Sequence, residues 1–312
     1  MAGAAGGSRA RISIVSATLN RRDMLRRAIE SAMAQGSDDV EHIVVDGAST
    51  DGTLEMLRAF PHLRVVSEPD RCLYEGWNKG IRLAAGDWIC ILNSDDELPP
   101  GAFDEVRRLA ALHPEADVIS GSVEIKRGID GRPASVHLID DAAMIRLREQ
   151  DIGPGITLTN ARYISRRLIE RIGLFDERYP AISDRQFLLR VLLSGARNVT
   201  TGVPLYRYNV HVGSLTLNDL EPSVRLAREC LAAAADGISE AGDRRAREAY
   251  RRWHAWAVFY LAGLQARSGK VGASAVTALA ALQRDPVWPA RLPPLVVQHI
   301  RERRHRLGRR LA

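Results

Sequence analysis

Between residues 11 and 92 four short apolar runs alternate with three stretches whose apolar residues recur every three or four positions. The runs are Ile12-Ser13-Ile14-Val15, His42-Ile43-Val44-Val45, residues 63–67 and residues 87–92. The helical stretches pass through Met24, Leu25, Ala28, Ile29 and Met33, then through residues 53–60, then 74–85. Strands and helices alternating at this spacing bury their apolar sides as parallel strands with helices on both faces. The expected fold class is therefore α/β: a Rossmann-like, doubly wound, mostly parallel sheet. Ligands of such sheets collect beyond the carboxyl ends of the strands.

Those ends are polar. Thr18 and Asn20 follow the first run, Asp46 the second, and Asn93-Ser94-Asp95-Asp96 the fourth. Two adjacent carboxylates repel unless something positive sits between them. A divalent ion holding a diphosphate fits, because Mg²⁺ is commonly bound by one or two carboxylates plus substrate phosphates. Taken singly, each residue has a structural alternative: helix capping for Thr18 and Asn20, a turn for Asp46 and Ser49, a solvated strand end for Asp95 and Asp96. No G-x-G-x-x-G follows the first strand and no G-x-x-x-x-G-K-[ST] occurs, so the two common phosphate cradles are absent.

After Pro99-Pro100 the alternation loosens into a helix at 102–112, a strand at 117–123, a turn at 128–133, a mixed segment at 161–173, a helix at 184–193 and a strand at 199–208. From residue 221 the composition shifts to Ala, Arg and Leu, with helices expected at 223–235, 241–267, 272–283 and 295–310. The middle pair is joined as a hairpin by Ser268-Gly269-Lys270. Residues 1–10 are expected to be disordered, 11–220 to form the α/β domain, and 221–312 a helical extension ending in a basic tail. The net charge of +6 is almost wholly arginine, and Arg301, Arg303, Arg304, Arg306, Arg309 and Arg310 crowd the end. Such a tail suits phosphates or an anionic membrane surface, and no nucleic-acid partner is expected. Three cysteines without a C-x-x-C pair argue for a reducing compartment, and residues 1–10 carry no secretory signal. The expected location is the cytoplasm, peripheral on the inner face of the plasma membrane.

Five blocks in order carry a family resemblance: Ser13-Ile14-Val15-Ser16-Ala17-Thr18-Leu19-Asn20-Arg21, Val44-Val45-Asp46-Gly47-Ala48-Ser49-Thr50-Asp51-Gly52-Thr53, Glu68-Pro69-Asp70-Arg71 with Asn78-Lys79-Gly80-Ile81, Gly86-Asp87-Trp88, and Leu92-Asn93-Ser94-Asp95-Asp96. Over residues 11–215 the chain resembles the family 2 glycosyltransferases of bacterial polysaccharide synthesis, which have the GT-A fold. The resemblance implies that Thr18, Asn20 and Asp46 contact the nucleoside, that Asp70, Asn78, Lys79 and Gly80 line the nucleotide pocket, and that Asp95 and Asp96 form the family's D-x-D-type pair. On that reading Asp96 is the firmer ligand of Mn²⁺ or Mg²⁺, and Asp95 is shared with the ribose. It also implies Asp184 as the base that takes the acceptor proton. His211 would stand in a loop closing over the donor.

The resulting expectation is an inverting, metal-dependent enzyme moving a sugar from a nucleotide diphosphate sugar, a UDP-sugar first among donors, to an acceptor hydroxyl such as that of a lipid-linked glycan. The alternative is a non-catalytic nucleotide-sugar-binding or scaffold protein, against which the carboxylates Asp95, Asp96 and Asp184 speak. The apolar stripe Leu295, Val296, Ile300 and Leu307 opposite the arginines suits an anionic membrane surface, packing back onto the catalytic domain, or packing on a second subunit as a homodimer.

Overall fold

The computed structural model describes residues 10–36, 39–127, 136–139, 159–210 and 220–292. These fall into two compact units. One holds the sheet, with the described residues up to 177 and 194–210; the other holds residues 178–193 and 220–292.

In the first unit the four apolar runs are β1 (Ile12–Thr18), β2 (Val40–Asp46), β3 (Leu63–Ser67) and β4 (Trp88–Ile91). They pair parallel in the order β3-β2-β1-β4. Every side chain of β1 is buried, Ser13, Ser16 and Thr18 included, as expected of a central strand covered on both faces. Register fixes the site: Thr18 lies beside Asp46, and Asp46 beside Ser67, so three polar residues end adjacent strands in one row.

Helix α1 (Arg22–Met33) buries Leu25, Ala28, Ile29 and Ala32, the spacing of one helical face. Leu25 and Ile29 pack with Val44, whose register partner Ser16 shares a sheet face with Ile12 and Ile14. The predicted helix at 53–60 is helical only as α2 (Thr53–Leu57), although Phe60 still reaches the same cluster. Helix α3 (Leu73–Leu83) covers the opposite face, against Val15. A β-carbon on Gly80 would stand 2.4 Å from Val15 Cγ1, and one on Gly76 would stand 2.9 Å from the Ala17 β-carbon. These glycines, one turn apart, let helix and strand touch.

Beyond α4 (Ala102–Leu112) the sheet becomes mixed. Strands β5 (Val118–Arg127), β6 (Val136–Ile139), β7 (Arg162–Ser165) and β8 (Asn198–Val210) extend it past β4. The ambiguous segment at 161–173 is β7 followed by α5 (Arg166–Ile172), with Ser165 capping the helix by accepting from the Leu168 N–H at 3.3 Å. Strand β7 joins β4 to β5 with antiparallel pairing on both sides, and β8 runs parallel to β5.

The second unit is helical: α6 (Ser183–Leu193), α7 (Leu220–Glu240), α8 (Arg244–Arg267), α9 (Val271–Arg284) and a 3₁₀ turn at Trp288–Arg291. Asp243 caps α8 by accepting from the Ala246 N–H at 2.7 Å, and Gly269, at φ +78°, makes the turn of the expected hairpin. Ala255, Val258, Ala281 and Trp288 form a buried cluster within this unit. Among the described residues no helix is long and apolar enough to cross a membrane.

Candidate active site

The ends of β1 and β2 meet in a set of oxygen atoms. Asp46 is fully buried, and its carboxylate accepts from the Ser49 N–H at 3.1 Å and the Ser67 hydroxyl at 2.7 Å. The Thr18 hydroxyl beside it is buried with no hydrogen-bond partner. A buried hydroxyl left unpaired costs about 1–3 kcal/mol, so its persistence at a strand end favours a site that a ligand completes. Asp70 closes the row: one carboxylate oxygen stands 3.5 Å from where a β-carbon on Gly47 would be and 3.1 Å from one on Gly76. A side chain at Gly76 would crowd this carboxylate, and one at Gly47 would touch it.

Other predicted residues shape the site rather than face it. Asn20, at φ +52°, accepts from the Thr50 N–H at 2.8 Å through its side chain and donates its own N–H to Ser49 Oγ at 2.8 Å. It thereby ties the loop after β1 to the loop after β2. Asn78 is buried and donates to the Phe175 carbonyl at 2.8 Å and to Glu177 at 2.9 Å, while its oxygen accepts from the Phe175 N–H at 3.0 Å. Both amide hydrogens are used within the protein. The open side of Gly80 is filled by Val15. Lys79 donates to Asp70 at 2.7 Å and pairs with Glu68 at 2.8 Å. Partial burial works against its charge, but these two carboxylates outweigh that and hold its pKa well above the ordinary value. It fixes Asp70 in place.

The two aspartates after β4 differ sharply in surroundings. Asp96 is 1% exposed. One of its oxygens accepts from the Tyr206 hydroxyl at 2.6 Å and from Asn93 at 3.2 Å, and the other from the Asn209 N–H at 2.9 Å. Tyr206 also accepts from Asn160 at 2.9 Å. The loop is stapled to β8 by backbone bonds in both directions between Glu97 and Arg207, reinforced by ion pairs from Arg207 to Glu97 and Glu124. Asp95 instead lies toward the loop after β1, with Arg21 Nη1 at 2.5 Å. Asp96 is thus buried among protein donors, and Asp95 is the more exposed of the two carboxylates. Among the described residues no three His, Cys, Asp or Glu side chains converge on one point. A hard cation held at Asp95 would draw its remaining ligands from phosphates and water, which suits Mg²⁺ or Mn²⁺.

Burial, and then the Asp95 charge, push the Asp96 pKa up to about 7, against the pull of Tyr206, the Asn209 N–H and Asn93. The unfolded chain releases that proton near 3.8, so across this window only the folded state holds it. The stability Asp96 contributes is thus full below the unfolded value and is lost as pH rises toward 7. Asp96→Asn stays neutral throughout. Relative to wild type it is expected to gain on the order of 2–3 kcal/mol of unfolding free energy between about pH 4.5 and 7, read from urea midpoints. Parallel pH curves for the two proteins would exclude the raised pKa.

Asp184 lies in the second unit, in the first turn of α6, with its Oδ1 accepting from the Arg185 N–H at 2.8 Å. His211 and the tail from 293 onward lie outside the described residues. Tyr206, Asn209, Asn160 and Arg21 were not anticipated as site residues. The first two act on a carboxylate more than a hundred positions away, a pairing that no local motif signals.

A family model for glycosyl transferase family 2 matches residues 13–173. The succinoglycan biosynthesis protein ExoO of Rhizobium meliloti is 31% identical over 225 residues, covering 66% of this chain and 62% of that protein. A PGL/p-HBAD biosynthesis glycosyltransferase of Mycobacterium tuberculosis is 30% identical over 186 residues, covering 57% and 68%. The chain thus spans somewhat less than two thirds of the length of the first relative. Among solved structures, the mannosyltransferase PcManGT of Pyrobaculum calidifontis, in complex with GDP-Man and Mn²⁺, superposes at TM-score 0.58 with 21% identity over 94% of this chain and 87% of that one. S. aureus TarS in complex with UDP-GlcNAc gives 0.56 with 15% identity, covering 88% and 92%. These likenesses carry the fold, which is GT-A. With its strand ends arranged as above and the family model matched over just more than half its length, the chain belongs to glycosyl transferase family 2.

Proposed function

We propose that the protein transfers a sugar from a nucleotide diphosphate sugar to an acceptor hydroxyl with inversion. The acceptor oxygen bonds to the anomeric carbon, the bond to the diphosphate breaks, and the acceptor proton passes to Asp184. Thr18, Asp46 and Asp70 hold the nucleoside end, and Asp95 holds Mn²⁺ or Mg²⁺. The cation, when bound, offsets charge developing on the departing diphosphate. The observation that carries this reading is the buried Thr18 hydroxyl without a partner, next to the buried Asp46 carboxylate at the end of the adjacent parallel strand. The succinoglycan and PGL/p-HBAD relatives favour a cell-surface polysaccharide or glycolipid as product. An acceptor of that kind fits work on the inner face of the plasma membrane.

Thermal unfolding with UDP- and GDP-sugars, each with Mn²⁺ or with chelator, tests the proposal. A cognate donor at a hundred times its Kd adds about 2.7 kcal/mol, hence a rise of several degrees in Tm, and only with the cation present. An equal rise in chelator would remove the cation from the reading. No rise with any nucleotide sugar would remove the donor.

A further inference from the structure

The hairpin of α8 and α9 exposes a surface that transfer chemistry does not use. Helix α9 packs inward through Ala278 and Ala281, and Thr277 donates to Gln265 of α8 at 2.9 Å. Its other side is open. Val271, Val276 and Leu279 are 67%, 66% and 60% exposed, and Leu282 is exposed as well. From Val271 to Leu282 every exposed residue is Val, Leu, Ala or Gly. A water-facing helix surface ordinarily carries charged or polar residues, so a face this apolar marks an interaction surface.

Its ends are cationic. Arg267 and Lys270 are exposed before it and Arg284 after it. No acidic residue occurs from 266 to 284. The next carboxylate, Asp285, is buried and paired with Arg291 at 2.8 Å. Two copies meeting through this face would set cation against cation: an antiparallel pairing brings Lys270 against the partner's Arg284, and a parallel one brings like ends together. The complement is apolar at the centre and anionic at the edges. A bilayer interface with acidic headgroups has that profile, and α9, about 21 Å long at 1.5 Å per residue, is short enough to lie in its plane.

We infer that α9 is a membrane-docking helix, lying in the headgroup layer of an anionic bilayer with Val276 and Leu279 inserted and Lys270 and Arg284 on acidic lipids. The inference is independent of the transfer reaction and of the basic sequence after residue 293. Docking at α9 would place a lipid-bound acceptor within reach of the enzyme.

Co-sedimentation of the full-length protein with vesicles tests it, using phosphatidylcholine alone and phosphatidylcholine mixed with phosphatidylglycerol. Wild type should pellet with the mixed vesicles only. Val276→Ser combined with Leu279→Ser should weaken that partition about tenfold or more, and Lys270→Glu about fivefold or more. Both changes are at exposed positions, so the urea midpoint should not move. Unchanged binding in both variants would assign attraction to the basic tail and overturn the inference. Equal binding to neutral vesicles would overturn the role of the cations. A wild-type dimer that the Ser variant dissolves, without vesicle binding, would give the face to a second copy.

Discussion

Replacing Asp95 by alanine is expected to lower kcat/KM for sugar transfer by about 10²- to 10³-fold, the range seen when one electrostatic stabiliser of a developing anion is removed. The expectation rests on which of the two aspartates can reach a ligand. Asp95 follows the carboxyl end of β4, and its side chain is 17% exposed. The Arg21 pair is itself partly open, so its loss should change stability by only about 0.5 kcal/mol. Asp95→Ala should therefore keep its urea midpoint while losing the Mn²⁺-dependent rise in Tm with donor. Asp96→Asn should retain most of that rise, because the loop keeps its Glu97–Arg207 staple. Assaying both variants across a Mn²⁺ titration decides the matter. If Asp96→Asn abolishes cation dependence and Asp95→Ala does not, the roles read from burial are inverted.

The difference in burial between the two aspartates marks where sequence reading reaches its limit. β1, β2 and β4 were legible because these parallel strands are largely buried on both faces, so their apolar runs are continuous, while the edge strand β3 is half exposed and was legible from its place in the alternation with helices. The placement of Thr18 and Asp46 at strand ends was legible for the same reason, since position at a strand end follows from strand length. Burial in the loop after β4 was not. Asp96 is buried because Tyr206 and Asn209 reach it from β8, and nothing near residue 96 specifies that. The surroundings of Asn78 and Gly80 were not legible either. Their place in a recognisable block suggested ligand contact, and the structure sets the Phe175 backbone and the Glu177 carboxylate against Asn78 and the Val15 side chain against Gly80. The junction at Ser165 stayed ambiguous because β7 is four residues long and passes directly into a helix, too short for either period to register.

Asp184→Asn separates a base from a helix-terminal carboxylate, and the two roles predict different magnitudes. At the start of α6 the carboxylate, one residue inside the helix, gains from the helix dipole about 0.3–1 kcal/mol, and a neutral asparagine forfeits no more than that. The cap role alone therefore predicts near-normal stability and activity. Taking the acceptor proton in the transition state is worth about 10²–10⁴ in rate, and an amide cannot do it. We expect Asp184→Asn to fold with the urea midpoint shifted by no more than about 1 kcal/mol, to bind donor with unchanged Kd, and to lose about 10³-fold in kcat. Donor binding is expected to stay because the groups proposed to hold the nucleoside belong to the sheet unit, whereas α6 belongs to the helical one. The diagnostic is the split between Kd and kcat. Full turnover at saturating donor and acceptor would return Asp184 to the cap role and send the search for the base elsewhere, while a parallel loss of donor affinity would make the residue a structural support of the nucleotide site.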